Sequence, residues 1–503
     1  MTTLEPMDLD RPTRLGTGRR AMALLALAAI VVAWWQVLAA TDGLTVTTVE
    51  QDGVPMDLIV PDGAVDAPGV VVAHGFAGSR QLMRATALAL ADAGWVVAVP
   101  DLAGHGANTA PLPTDDDGYR LARDVLAAVA VLEAAGEVAE VPVGLLGHSM
   151  GSGAVLRAAL DAPERVGAVV AVSPTDAPVT PEAPGDLLLL AGELEPRFVA
   201  NATSLLERAG GTRAEGELGP RRELVVIDGV EHVSILFAGQ MHQRSAAFLA
   251  ETVDASGTEV APDPGLGGAG PLGWWALHLV AVLVLWRVIV PLLVDRGTGR
   301  RSGGRTLLGA ALGGFAATAV LAIVGAAVEL TGFGGMLVAP VLSLWFVVAG
   351  AVWLVVGPRP DRPGARDVVW AVLLVLVLGV AVAALGGRAW LPVVPQGLRA
   401  VLFPVFVLAA LPWTLSLATS LQGHRRLRAA AWWVAVLLLV TVGLGIAAVV
   451  VPSLGFLVLL LPLVPVLLTV AAVLWAPLQR PWAAGLATAV LLGWMLAVLF
   501  PLT

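Results

Sequence analysis

The chain has 503 residues, 30 of them basic and 39 acidic, for a formal net charge of −9. Its mean hydropathy of +0.82, with only 14% charged residues, excludes a wholly water-exposed protein; it fits a soluble domain joined to a bundle of membrane-spanning helices. The length implies two or more units. Nearly all the acidic residues precede about residue 265, so the soluble part is anionic and no nucleic-acid partner is expected. Cys is absent, which excludes disulfides, a thiolate nucleophile and Cys-ligated metal sites. All the basic residues are Arg, as the codon bias of a GC-rich bacterium would produce.

Taken in chain order, a polar start carrying Arg11, Arg14, Arg19 and Arg20 precedes the apolar run Ala21–Ala40, long enough to cross a bilayer at about 1.5 Å per residue. Arginine ahead of a span predicts the N-terminus inside and the following segment outside. Val37-Leu38-Ala39 resembles a signal-peptidase site, but the length of the run and Trp34-Trp35 favour an uncleaved anchor over residues 1–43. Cleaved or not, such a segment exports the chain from residue 44 onward.

Residues 44–255 alternate short apolar runs with amphipathic stretches. Strands are expected at Gly69–Ala73, Trp95–Pro100, Val141–Leu146, Val166–Val172, Asp186–Ala191 and Glu223–Ile227. Helices are expected at Arg80–Ala93, Tyr119–Ala135, Gly151–Leu160, Arg197–Arg208 and Ser234–Glu251. That order predicts a doubly wound, mostly parallel sheet with right-handed crossovers. A Gly- and Pro-rich stretch, Ala261–Gly273, marks a linker at 256–271.

From 272 to 503 apolar runs repeat, giving an all-α transmembrane bundle of about eight helices near 272–294, 306–328, 336–357, 368–386, 400–421, 430–451, 454–476 and 482–501. Alternate connections are rich in arginine: Arg296, Arg300, Arg301 and Arg305; Arg359, Arg362 and Arg366; Arg425, Arg426 and Arg428; and Arg480. Those connections are expected inside, and the intervening ones, carrying chiefly Arg388 and Arg399, outside. The protein is therefore expected in the cell membrane as a multi-pass chain with its soluble domain extracytoplasmic. The weakest boundary is Pro452–Gly455, which could be a re-entrant turn. Few charges fall within the spans, which argues against a transport pathway. The prolines Pro340, Pro404, Pro412, Pro462 and Pro465 are expected to mark kinks.

The strongest chemical signal is Gly147-His148-Ser149-Met150-Gly151, between an apolar strand and an Ala-rich helix. A serine on such a turn is driven out of the sheet edge, and small residues two before and two after avoid clashes. The helix start then aims free N–H groups at the reacting oxygen. His74-Gly75-Phe76-Ala77-Gly78 ends an upstream strand and suits the turn that supplies the second donor. The expected oxyanion hole is the N–H of Phe76 with that of Met150, each worth about 3 kcal/mol in the transition state. His74 and His105 are read as shaping their turns, and His148 as pointing away from Ser149.

Serine needs a base, and His232, after the last strand and before the last helix, is in place for it. Glu195, just before Pro196 at the end of the preceding strand, is the expected acid, with Glu193 and Asp176 as alternatives. These motifs, with Asp101 through Gly106 and Gly192 through Glu195, resemble the α/β-hydrolase superfamily, near its dienelactone-hydrolase and serine-esterase members. Glu stands where Asp is commoner as the acid. No family is recognised for the membrane part.

The resemblance implies an α/β hydrolase fold and a serine hydrolase that cleaves carboxylic esters or thioesters through an acyl-enzyme, with Ser149, His232 and Glu195 catalytic. No metal or organic cofactor is implied. The expected partners are a small-molecule or lipid-like acyl substrate and membrane lipid. Ser173–Gly185 is too short for a helical cap, so an open pocket is expected. An acyltransferase or peptidase on the same triad, or a transporter or scaffold carrying a non-catalytic hydrolase domain, are the rival readings.

Overall fold

The computed structural model describes residues 15–113, 118–213, 219–253, 270–293, 304–421 and 426–503. The linker expected at 256–271 lies almost wholly outside them, as do Arg11, Arg14, Arg296, Arg300, Arg301 and Arg425. Residues 44–227 build an 8-stranded sheet in the order β1-β2-β4-β3-β5-β6-β7-β8. Its strands are β1 Leu44–Gln51, β2 Val54–Pro61, β3 Gly69–Ala73, β4 Val96–Pro100, β5 Val143–His148, β6 Val166–Val172, β7 Asp186–Gly192 and β8 Arg222–Ile227. From β4 to β8 every neighbouring pair is parallel.

β3, β4 and β5 are buried along their whole length, which is why they read as continuous runs of Val, Ala and Leu. Their side chains still sort by parity. Val71, Leu145, Val169 and Leu189 pack with Leu121, Val125 and Leu132 of helix α3 (Tyr119–Ala134), Val155 of α4 (Met150–Asp161) and Leu205 of α5 (Pro196–Arg208). On the other face, Val70, Val72, Leu146, Val170 and Leu188 pack with Leu90 of α2 (Arg84–Asp92) and with Met241, Phe248 and Leu249 of α6 (Gly239–Thr252). The two faces are the double winding that alternation along the sequence predicted.

Two strands, β1 and β2, were not expected from the sequence. They form an antiparallel hairpin, and β2 runs antiparallel to β4. β1 alternates between exposed and half-buried positions, so its hydrophobic signal is diluted. The turn was nonetheless written in the chain: Asp52 and Gly53 both have positive φ, 52° and 76°, as the tight hairpin turn that favours Asp-Gly requires.

The membrane half follows the expected spans closely. Helices occupy Gly270–Leu293, Arg305–Ala327, Ala339–Val356, Ala365–Ala389, Leu398–Ser420, Arg426–Val450 and Pro481–Leu499. With the N-terminal helix α1 (Thr17–Ala39), 8 helices among the described residues are long and apolar enough to cross a membrane. The span expected at 454–476 is not continuous: Pro452–Leu460 and Leu463–Trp475 meet at 65°, with the bend at Leu461-Pro462 and not at the doubted Pro452–Gly455 boundary. Pro404 and Pro412 lie inside their helix, but Pro340 sits in the first turn of Ala339–Val356, where its missing N–H costs nothing, so it starts a helix instead of kinking one. The Trp34 indole of α1 donates to His278 Nδ1 at 3.0 Å, and His278 Nε2 donates to the Val380 carbonyl at 2.9 Å, tying α1 to the bundle.

The connections sort into two sets. Trp275, Leu337, Trp390, Phe456 and Leu502 all touch the sheet domain. Trp390 and Leu502 lie in segments expected outside, and Trp275, Leu337 and Phe456 lie at the ends of spans beside such segments. Two of the connections expected inside meet each other instead: Arg480 pairs with Asp367 at 3.2 Å, and the Trp482 indole bonds the Asp361 carbonyl.

Helices in the bundle approach closely where glycine removes a side chain, as expected without a hydrophobic drive between spans. A Cβ at Gly350 would lie 2.4 Å from the Trp413 nitrogen and 2.8 Å from the Pro412 carbonyl carbon, whereas one at Gly379 would meet nothing within 4 Å. Gly350→Ala is therefore expected to destabilise the bundle by about 1–3 kcal/mol, and Gly379→Ala to leave it unchanged or slightly firmer. Thermal melts of the two purified variants in one detergent check this; equal midpoints would sink it.

Candidate active site

The carboxyl edge of the sheet collects every residue that the sequence singled out. β5 ends at His148, and the chain turns into α4 through Ser149, whose φ of 52° and ψ of −120° is a backbone state that a non-glycine residue enters only under constraint. The constraint is visible. Ser149 N–H donates to the Val172 carbonyl at 2.9 Å, and the Ser149 carbonyl accepts from Ser152 N–H at 2.8 Å. A Cβ at Gly147 would fall 2.2 Å from the Gly151 oxygen, and one at Gly151 would fall 2.5 Å from the His74 oxygen. The two flanking glycines are thus required by contact between backbones.

Ser149 Oγ lies 3.1 Å from His232 Nε2. His232 Nδ1 lies 2.8 Å from Glu195 Oε2. A carboxylate can only accept, so the proton sits on Nδ1, and the Nε2 lone pair faces the serine hydroxyl. All three residues are buried, at 7%, 7% and 6% exposure, which keeps competing water off the relay.

Glu195 is held on both oxygens. Its Oε1 accepts from Ser173 Oγ at 2.6 Å and from Gly192 N–H at 2.6 Å, leaving Oε2 for the imidazole. Pro196 occupies the first turn of α5 and pre-sets its direction. The ends of β7 and β8 are pinned to each other, since Glu193 N–H bonds the Ile227 carbonyl and Leu194 N–H the Val230 carbonyl. The alternative acids are engaged elsewhere. Glu193 accepts from Gly229 N–H at 2.9 Å, and Asp176 pairs with Arg208 at the surface.

Phe76 and Met150 flank the nucleophile. Met150 opens α4, so its N–H is among those without a partner inside the helix. Phe76 follows Gly75, where a Cβ would lie 3.0 Å from the Ser149 Cβ. The β3 loop therefore rests directly on the elbow. His74 fixes that loop from below: its Nδ1 donates to the Gly75 carbonyl at 2.8 Å, and its Nε2 accepts from Leu102 N–H at 3.0 Å. Among the described residues, no group of three or more His, Cys, Asp and Glu is placed to hold a metal ion.

Several contributors could not be picked out from the sequence. His148, read as pointing away from Ser149, donates from Nε2 to the His232 carbonyl at 2.9 Å and lies 4.7 Å ring to ring from His232, so it supports that residue's loop. Phe198 stacks on the His232 ring at 4.1 Å with the planes 21° apart. Ser173, itself at φ 46°, fixes the acid. A serine directly after a strand that borders the nucleophile's strand was the available signal. The open pocket expected from the short Ser173–Gly185 segment is also qualified. Phe456 of the membrane half packs its ring 4.3 Å from that of Phe76, and the Trp390 indole donates to the Ala77 carbonyl at 3.1 Å. The loop beside Ser149 is thus in contact with the membrane half.

Residues 68–230 match the family model described as the alpha/beta hydrolase fold. A curated relative, epoxide hydrolase A of Mycobacterium tuberculosis, is 37% identical over 116 residues, which are 23% of this chain and 34% of that protein. The chain thus spans about a third of the length of the relative it matches. Among solved structures, a dienelactone hydrolase from Anabaena variabilis is 22% identical, with 42% of this chain and 98% of that chain covered and a TM-score of 0.32. An epoxide hydrolase A from Mycobacterium thermoresistibile is 19% identical, with 42% and 99% covered and a TM-score of 0.33. The family match and the curated relative support a hydrolase.

The buried histidines give the site a pH signature. Burial, reinforced by nearby His232, holds His148 well below its ordinary 6.5, and burial beside His74 does the same for His105. Both stay neutral in the fold, while the unfolded chain takes up protons below about pH 6.5. Stability is therefore fully present above that value and falls as pH drops beneath it, by up to about 1.4 kcal/mol per pH unit for each histidine. Urea titrations from pH 8 to 5 check this. His105→Asn should flatten the slope; an unchanged slope would remove His105 from the account.

Proposed function

We propose that the unit spanning residues 44–255 is a membrane-anchored serine hydrolase that cleaves carboxylic esters or thioesters through an acyl-enzyme. The observation that carries this is the continuous relay Ser149 Oγ–His232–Glu195, at 3.1 and 2.8 Å, on a strand–turn–helix elbow. A hydroxyl beside an imidazole of fixed tautomer attacks a carbonyl, and two backbone N–H groups suit the oxyanion that forms.

In the first half-reaction Ser149 Oγ bonds to the carbonyl carbon while its proton passes to His232 Nε2. Glu195 stabilises the imidazolium, and the N–H groups of Phe76 and Met150 hold the oxyanion. The tetrahedral species collapses, and His232 returns the proton to the departing alkoxide or thiolate. In the second half, water gives a proton to His232 and adds to the acyl carbon. Collapse then expels Ser149, which regains its proton as the acid leaves. The curated relative is named for epoxides, but a serine backed by oxyanion donors suits an acyl carbon.

The domain reading that goes with this is an anchor at 1–43, a linker at 256–271 and a membrane bundle at 272–503. The arginine pattern supports the inside placement of the alternate connections, and with it an extracytoplasmic hydrolase. That the hydrolase is touched by segments expected outside and by the span ends beside them supports the same topology.

Ser149→Ala is expected to abolish stoichiometric labelling by a fluorophosphonate probe. Glu195→Gln should fold normally yet lose turnover by about 10³–10⁴-fold, because the imidazole loses its tautomer and its charge partner. Labelling that survives Ser149→Ala would overturn the assignment of the nucleophile.

Placement is tested separately. Protease added to intact spheroplasts should digest within 44–255 and spare the connection at 295–305. A protected hydrolase unit would move the enzyme, and its substrate, to the inner side.

A further inference from the structure

Within the membrane bundle lies a partly open cavity of about 90 Å³, room for several methylene groups where roughly 10–15 Å³ on the same measure holds one water. Its walls include Trp390, Leu457, Leu460, Leu492, Met495 and Phe500, and every lining residue is apolar. A space of this character holds no water and selects hydrocarbon. The broken span forms much of the wall, through Leu457, Leu460, Leu461 and Leu463. Irregular backbone at membrane depth is tolerated where it is buried or lines a cavity, so the 65° break fits a wall.

Three of the walls run directly into the catalytic edge. Phe456, adjacent to the lining residue Leu457, packs on Phe76 at 4.3 Å. Trp390, itself lining, donates to the Ala77 carbonyl at 3.1 Å and accepts from Ser79 Oγ through its own carbonyl. Phe500, also lining, is followed by Leu502, which exchanges backbone hydrogen bonds with Gly104 and Leu112. The walls of the cavity thus adjoin the loop that carries the proposed oxyanion donor. A lipid that only filled a gap in the bundle would not need walls built onto that loop.

We propose that this cavity receives the acyl tail of a membrane lipid ester whose carbonyl is presented to Ser149, so that the membrane half is the substrate-selecting part of the enzyme. The proposal rests on the serine-hydrolase reading and names its substrate class.

The test uses the full-length protein in lipid nanodiscs, with p-nitrophenyl acetate and laurate as substrates and ethyl and dodecyl fluorophosphonates as traps for Ser149. The wild type is expected to favour laurate over acetate in kcat/KM. Leu460→Trp and Met495→Trp place an indole in the cavity, and each should lower the laurate-to-acetate ratio by about tenfold or more, since only a few methylenes need be displaced. The same variants should slow dodecyl trapping relative to ethyl trapping. Leu492→Ala, which enlarges the space without crowding the bundle, should move the preference towards longer chains.

An unchanged ratio in variants that still trap the ethyl probe overturns the proposal and leaves the cavity as a seat for a structural lipid. A wild type that traps neither probe and cleaves neither ester fails differently, because it removes the serine-hydrolase reading itself.

Discussion

The site depends on one contact: the backbone of the β3 loop lies directly on the nucleophile elbow. A Cβ at Gly75 would sit 2.9 Å from His148 Nδ1, one at Gly147 would strike the Gly151 carbonyl, and one at Gly151 would strike the carbonyls of Ala73 and His74. With three glycines the two loops close to backbone distance. That closure brings the residue after Gly75 beside Ser149, and the bond from Ser149 N–H to the Val172 carbonyl holds the serine in its strained conformation. The strain, of order 1–3 kcal/mol, persists because the surrounding backbone leaves no alternative. Looser packing here would cost the site both the outward aim of the hydroxyl and the placement of its oxyanion donors.

Much of this was legible in the chain. Strands β3 to β7 announce themselves because a strand buried on both faces is a run of Val, Leu and Ala, and the elbow announces itself through small residues at fixed offsets. Glu195 could be picked from sequence because a strand end, a glycine and a proline bracket it. What could not be read is what long-range packing decides. Nothing in the local sequence says that Ser173 would reach Glu195, that Phe198 would stack on His232, or that His148 would hold the carbonyl of a residue 84 positions away. The hairpin was missed for the opposite reason: β1 is half-exposed, and its apolar pattern is too weak to stand out.

Glutamate in place of the commoner aspartate has a local rationale. Glu195 is the residue before α5, and its side chain must satisfy the Gly192 N–H three residues back while also reaching Ser173 and His232. Spanning from the helix start to the strand end and across to the next loop takes the extra methylene. The three donors leave the carboxylate fully engaged although it is buried, which is the condition for keeping a charge there at tolerable cost. The imidazole therefore meets an acid whose orientation is set before any substrate arrives.

The seam between the two halves follows from the demand that buried backbone be paired. The loop after β4 has its own polar scaffold, in which Asp101 accepts from Arg80 and Ala107 N–H, yet the Gly104 backbone and the Leu112 N–H face outward. They are satisfied by the far end of the chain: Gly104 accepts from Leu502 N–H at 2.9 Å, and Leu112 N–H donates to the Leu502 carbonyl at 2.9 Å. Arg399, expected from sequence to be an ordinary outside-loop charge, is wholly buried in the same seam and donates to the Gly104 carbonyl. Only its Nη2 is bonded, while Nε and Nη1 are buried without a partner, so the guanidinium is held there at a cost and ties the hydrolase edge to the helix that begins at Leu398. Backbone bonds, a buried arginine and the Phe76–Phe456 contact all act on one edge of the sheet, and it is the catalytic edge. The hydrolase is therefore not a domain swinging on a linker. Ser149 thus has a fixed address relative to the bundle, set by contacts from both halves.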